Sequence, residues 1–152
     1  MSKTLSVSAI QKGTVIDHIT PGQTLRIIHL LRLLDKKKTI TVGFNLASKC
    51  MKVKDLIKIE DYALTTAEAN DITIFAPDAT INIIDNFEVV GKIIAKLPSS
   101  IKGVFTCPNL SCISNSEPME SVFAIEEQGK RVHLICEFCE KIFDRNQVKV
   151  KI

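Results

Sequence analysis

Along the first two thirds of the chain the apolar positions repeat with two periods, every second residue in some stretches and every third or fourth in others. Leu5–Ile10 (LSVSAI) alternates apolar and small polar residues, as a half-buried strand does. Gly13 then turns the chain into a second strand candidate, Thr14–Ile19. At Thr20-Pro21 the pattern changes. A capping hydroxyl followed by proline at a first helical position predicts a helix running to about Leu34. Leu25, Ile28 and Leu31 share one face, with Ile27, Leu30 and Leu34 beside it, a stripe wide enough to pack on a sheet. Lys36-Lys37-Lys38 reads as a solvated turn whose charge suits the end of the helix dipole.

Alternation returns over Thr39–Leu46, followed by a loop at Ala47–Val53 and a strand at Asp55–Glu60. In that strand Leu56 and Lys58 share one face, Ile57 and Ile59 the other. Thr65-Thr66-Ala67-Glu68 offers a capping box for a second helix ending near Ala76-Pro77. Two more strands, Thr80–Ile84 and Phe87–Gly91, are joined through Asp85-Asn86. The order β-β-α-β-β-α-β-β predicts an α+β domain, a ferredoxin-like antiparallel sheet with two helices on one face.

Leu97-Pro98-Ser99-Ser100-Ile101-Lys102-Gly103 has linker composition. It divides an N-terminal domain, 1–98, from a small all-β domain, 103–152. Val104–Thr106, Val122–Glu126 and Val132–Ile135 read as strands there, with Gln128-Gly129 as a hairpin turn. About fifty residues with few aromatics hold a fold poorly unless something braces them.

Four cysteines supply the brace. Cys107 and Cys112 lie in CPNLSC, Cys136 and Cys139 in CEFC, and 23 residues separate the pairs. Two short thiol pairs on separate turns can close a tetrahedron around one structural zinc ion. The alternatives are disulfides or unrelated buried thiols. The N-terminal stretch has no continuous apolar run, so no secretory signal is expected. Leu25–Leu34 is too short and too charged to span a membrane. A cytoplasmic, reducing setting follows, which disfavours disulfides. Cys50 stands apart as an ordinary thiol.

Charge narrows the function. Residues 1–98 carry 13 Lys+Arg against 10 Asp+Glu, and residues 99–152 carry 7 against 7. Zinc on four thiolates would make the second part negative, whereas modules that grip nucleic acid are usually basic. No nucleophile–base arrangement is visible, and His18, His29 and His133 are scattered. A zinc held by four cysteines leaves no open position for a catalytic water, so no catalysis by this chain alone is expected. Lysines on a sheet face can pair with phosphate. Asp17, His18, Lys58 and Lys92 are candidates on that ground, and ordinary exposed strand residues on the plainer one.

The chain resembles the regulatory chains of aspartate transcarbamoylase (aspartate carbamoyltransferase). The resemblance is carried by AIQKGTVIDHI, KDLIKIE, the stretch 76–92 apart from Ile83, CPNLSCIS and SEP on either side of Asn115, and C.FCEK.F. It implies an N-terminal allosteric domain binding CTP, UTP and ATP, and a zinc domain docking on the catalytic chain. It also implies homodimers of regulatory chains and a part in pyrimidine biosynthesis. It further places Val7, Ser8, Ala9 and Ile10 at the base edge, and Asp17 at a ribose hydroxyl or neighbouring lysines. His18 would lie near the phosphates, Lys58 near base and ribose, and Lys92 on the triphosphate. Asn82, Ile84, Phe87 and Val89 would line the remainder. Asn109 and Glu140 match positions at the catalytic-chain interface. Departures from the family pattern are Thr4, Ser8, Phe87, Ile94 and Ser111, which bear on effector balance and on interface hydrogen bonds. The rival reading is a zinc-ribbon nucleic-acid-binding or transcription accessory protein with a ligand-sensing domain.

Overall fold

The computed structural model describes residues 9–129 and 131–151. The strand expected at Leu5–Ile10 therefore lies largely outside the described residues, as do Val7 and Ser8. The chain divides into two compact units, residues 1–96 and 97–152.

In the first unit, β1 (Gly13–Ile19), β2 (Ile40–Ser48), β3 (Lys52–Glu60), β4 (Thr80–Asp85) and β5 (Glu88–Ile93) form one antiparallel sheet in the order β2-β3-β1-β4-β5. Helices α1 (Thr24–Leu30) and α2 (Thr66–Phe75) touch each other, and α1 packs on β3. Without β5, the strand order is that of a ferredoxin-like sheet, so the expected α+β class holds. The apolar face of the sheet carries Ile16, Ile57, Ile59 and Ile81, all essentially inaccessible. Burying each such side chain contributes about 1.5–3 kcal/mol. Ile27, Leu33, Ile72, Ile74 and Phe75 complete this core. Gly13 opens β1 opposite Glu60 of β3: its φ is +143° and a Cβ would fall 2.0 Å from the Ile59 carbonyl oxygen. No side chain fits there.

Several local expectations change. Thr20-Pro21 does not start a helix. Gln23 N–H donates to the Thr20 carbonyl (3.1 Å) and Gly22 has φ +91°, the geometry of a turn with proline second and glycine third. The helix begins only at Thr24 and ends before Arg32, which is left-handed at φ 51°. A short 3-10 turn, Leu33–Lys36, follows. The buried side is Thr24, Ile27, Leu31 and Leu33, whereas Leu25 and Leu34 are exposed. The stripe fails because the helix is half the expected length. The loop expected at Ala47–Val53 is mostly hairpin: Ser48 pairs with Lys52, leaving a three-residue turn. Asp55, buried at its base, accepts from Thr24 Oγ1 at 2.6 Å and from Asn45 N–H at 2.8 Å. That carboxylate ties helix to hairpin at the bulge between Gly43 and Leu46.

The second helix matches its signal. Thr65 caps α2 by accepting from Glu68 N–H, and Glu68 accepts from Thr65 N–H in return. Tyr62 donates to Glu68 at 2.7 Å, and the Lys36 ammonium lies 4.8 Å above the Tyr62 ring. The tyrosine hydroxyl is thereby pushed up to about 12, by burial first and then by its bond to Glu68.

In the second unit, β6 (Ser100–Lys102), β8 (Val122–Gln128), β9 (Arg131–Cys136) and β10 (Ile142–Asp144) form a sheet in the order β10-β9-β8-β6. β7 (Phe105–Thr106) pairs with β11 (Lys149–Val150). The segment of linker composition thus contributes a strand, because Ile101 is buried opposite Phe123. Phe105 and Phe123 meet edge to face at 6.1 Å, and Leu134 is equally buried.

Candidate functional site

The four cysteines of the second unit converge. β7 delivers Cys107 and the loop after it Cys112, while β9 ends in Cys136 and the following turn carries Cys139. Their sulfurs all lie within 4.8 Å of one another. Cys107 and Cys139 are 3.7 Å apart, as are Cys112 and Cys136. Metal–sulfur bonds of about 2.3 Å in a tetrahedron imply an S···S edge of about 3.8 Å, whereas a disulfide needs about 2.05 Å. All four are free thiols. The donor set therefore fits one metal ion with closed coordination.

Each loop is held by hydrogen bonds to its own backbone groups, some from side chains. Cys112 N–H donates to the Asn109 carbonyl (2.9 Å), and Ser111 N–H donates to Asn109 Oδ1 (3.2 Å). Asn115 Nδ2 spans the Cys107 and Asn109 carbonyls at 3.0 and 2.9 Å. Glu140 N–H donates back to the Cys136 carbonyl at 2.8 Å, and Glu140 itself is left-handed and exposed. Ser114, buried, places Oγ 3.1 Å from Cys112 Sγ. Burial pushes the Cys107 and Cys136 thiols up. Burial also opposes ionisation of Cys139, but the Asn109 side chain, the Lys141 backbone and the neighbouring thiols outweigh it and bring this thiol to about 7. Four crowded thiols ionise together only when a cation neutralises them.

In the first unit, the sheet register gathers residues widely spaced in the chain. Lys58 lies opposite Val15, Val15 opposite Asn82, and Asn82 opposite Lys92. Directly opposed residues point to the same side, so Lys58, Asn82 and Lys92 form a row on the face away from Ile16 and Ile57. Lys92 is exposed. Lys58 is only 7% exposed, and that burial lowers its pKa, partly offset by the Asp17 carboxylate. Asn82 Oδ1 is buried with no hydrogen-bond partner among the described residues. Ile84 lies two residues along β4 and pairs with Val89.

Asp17 caps the row. Its carboxylate takes Lys54 Nζ at 2.8 Å and the His18 N–H at 2.7 Å. His18 adopts φ 56° where β1 bulges, and its Nδ1 is 3.0 Å from Thr80 Oγ1. Phe87 sits not in a strand but in the two-residue turn Asn86-Phe87, both left-handed, and is exposed. Its backbone N–H reaches the Gln11 carbonyl at 3.0 Å. Ala9 is exposed and Ile10 buried. Lys54, Thr80, Ser114 and Asn115 were not singled out from sequence. Lys54 shares strand parity with Lys58, a signal sufficient to place it on the same face.

Among the described residues no helix is long and apolar enough to cross a membrane. Compared with known proteins, residues 5–96 match the family described as aspartate carbamoyltransferase regulatory chain, allosteric domain. Residues 99–149 match the metal binding domain of the same chain. Curated relatives called aspartate carbamoyltransferase regulatory chain include one from Chromobacterium violaceum, 47% identical over 97% of both chains. Another, from Tolumonas auensis, is 49% identical over 96% of this chain and 95% of its own. One from Serratia marcescens is 48% identical over 95% and 94%.

Proposed function

The chain belongs to the aspartate carbamoyltransferase regulatory chain family, so its part is regulatory and not catalytic, and we propose that its first unit binds CTP, UTP and ATP on the charged sheet face. The row of Lys58, Asn82 and Lys92 carries this reading. A nucleoside triphosphate needs cations for its phosphates and a polar group for its base. Lys92 supplies an accessible charge, and Lys58 a desolvated one that interacts more strongly with an anion. The unpartnered Asn82 Oδ1 accepts from a base amino or ring N–H. Asp17 holds Lys54 and His18 at the phosphate end, and Ile84 and Val89 flank the row. Val7, Ser8, Ala9 and Ile10 complete the base edge, and Phe87 offers its ring from the turn.

The second unit holds one structural zinc ion on Cys107, Cys112, Cys136 and Cys139 and docks on the catalytic chain. Zinc is favoured over other ions by an all-thiolate set at tetrahedral spacing. Docking is supported by exposed apolar side chains close in sequence to the cysteines: Leu110, Ile113 and Phe138 on the cysteine-bearing segments and Ile142 at the start of β10. Glu140 stands beside them, and Asn109 fixes the loop that presents Leu110. On this reading the chain pairs with a second copy of itself in the cytoplasm and bridges catalytic subunits in pyrimidine biosynthesis. The effect on the distant active site is linkage: each nucleotide shifts the assembly toward the quaternary state it binds better.

Titration calorimetry of CTP, UTP and ATP against the full chain, with activity of the reconstituted assembly, tests this. Lys92→Ala and Lys58→Met are expected to weaken nucleotide binding roughly 10- to 100-fold, the value of a charge-assisted bond. Unchanged affinity in both variants would remove the sheet face from consideration.

A further inference from the structure

The four sulfurs of the metal centre are not equivalent. Cys107, Cys112 and Cys136 are at most 2% exposed, whereas Cys139 is partly open to solvent. Cys112 is further held by the Ser114 hydroxyl at 3.1 Å. With a metal-bound thiolate there, the hydroxyl donates, lowers the electron density on that sulfur and orients it. Two sulfur pairs that cross between the two loops are already near contact, Cys107 with Cys139 and Cys112 with Cys136, each at 3.7 Å.

We propose that Cys139 is a modification site, the point at which two-electron oxidants of the peroxide class enter the centre, and that the first stable product is a Cys107–Cys139 disulfide. This rests on the centre being a metal–thiolate site. In the first step Cys139 Sγ attacks a peroxide oxygen and the O–O bond breaks. The departing hydroxide takes a proton, leaving Cys139 as sulfenic acid and one water. In the second, the Cys107 thiolate attacks Cys139 Sγ, the S–O bond breaks, and hydroxide leaves as a second water. Two thiolates lose two electrons in total, and one peroxide becomes two waters. Only Cys112 and Cys136 would then remain to hold the ion, too few to retain it. Cys112 is the last sulfur to react, being buried and hydrogen-bonded.

The experiment uses the zinc-loaded full chain in a Cys50→Ser background, which removes the exposed thiol on the β2–β3 turn. Zinc release under substoichiometric hydrogen peroxide is followed with a chromophoric chelator, and disulfides are mapped by peptide mass spectrometry at early times. The expected first linkage is Cys107–Cys139, appearing in step with zinc release. A first linkage of Cys136–Cys139 or Cys107–Cys112 overturns the proposal while leaving the metal centre intact as a reading. A purified chain that holds no zinc overturns the metal reading itself. Ser114→Ala is expected to raise oxidation at Cys112 severalfold, with the order of the first step unchanged. An unaltered Cys112 rate would refute the protective role of Ser114.

Discussion

The two units solve the same stability problem by different means. The first buries a continuous apolar layer, Ile16, Ile57, Ile59 and Ile81 under Ile27, Ile72, Ile74 and Phe75. Its polar groups are free to gather on the other face of the sheet. The second has 56 residues and a sparse core centred on Phe105, Phe123 and Leu134. It joins its loops through sulfur instead. Where burial suffices, the sheet face is left available for a ligand. Where it does not, the chemistry that holds the fold also fixes the surface around it.

The contrast predicts very different responses to the same kind of insult. Removing the metal with a chelator under reducing conditions should abolish the folding transition of the second unit. The loss corresponds to about 10–16 kcal/mol of coupled binding and folding. Calorimetry should still show the transition of the first unit, and a melted first unit would break the comparison. Ile57→Ala is the converse test. It should cost the first unit about 2–5 kcal/mol, read as a shifted denaturation midpoint, with metal content unchanged. Thr65→Ala removes the cap of α2 and should cost about 1 kcal/mol in the first unit alone.

The smallest effect concerns Lys58, whose folded pKa lies below its ordinary value of 10.5. Between that lowered value and 10.5 the unfolded chain binds more protons at this site. The Lys58 contribution therefore makes stability rise with pH through that window. Lys58→Met should flatten the slope. A wild-type chain with the same pH profile as the variant would show that burial of this lysine has no energetic consequence.

Legibility in the sequence followed the range of the interaction. The capping box of Thr65 and Glu68 spans four residues and is readable directly. So is the cysteine quartet, because metal ligands in close pairs constrain spacing. Thr20-Pro21 reads as a helix start and is a turn, since a proline serves both equally and only the left-handed backbone of Gly22 separates them. The β2–β3 hairpin tip was misread because Lys49, Cys50 and Met51 carry no alternation. The lysine row depends on the register of four strands, which no local pattern encodes. Lys58 and Lys92 are candidates by charge alone and Asn82 only by resemblance to a family, and the pairings of Val15 with Lys58 and Asn82, and of Asn82 with Lys92, explain why they belong together.

Tyr62 gives this molecule an optical asymmetry. It is the only tyrosine in a chain without tryptophan, and its hydroxyl is engaged by Glu68 at the start of α2. Near-ultraviolet tyrosine absorbance therefore reports the first unit and is silent about the second. A cobalt ion exchanged into the thiolate centre would colour the second unit and leave the first dark. Each half of the chain can thus be watched in its own spectral band, in the intact protein and with no label attached.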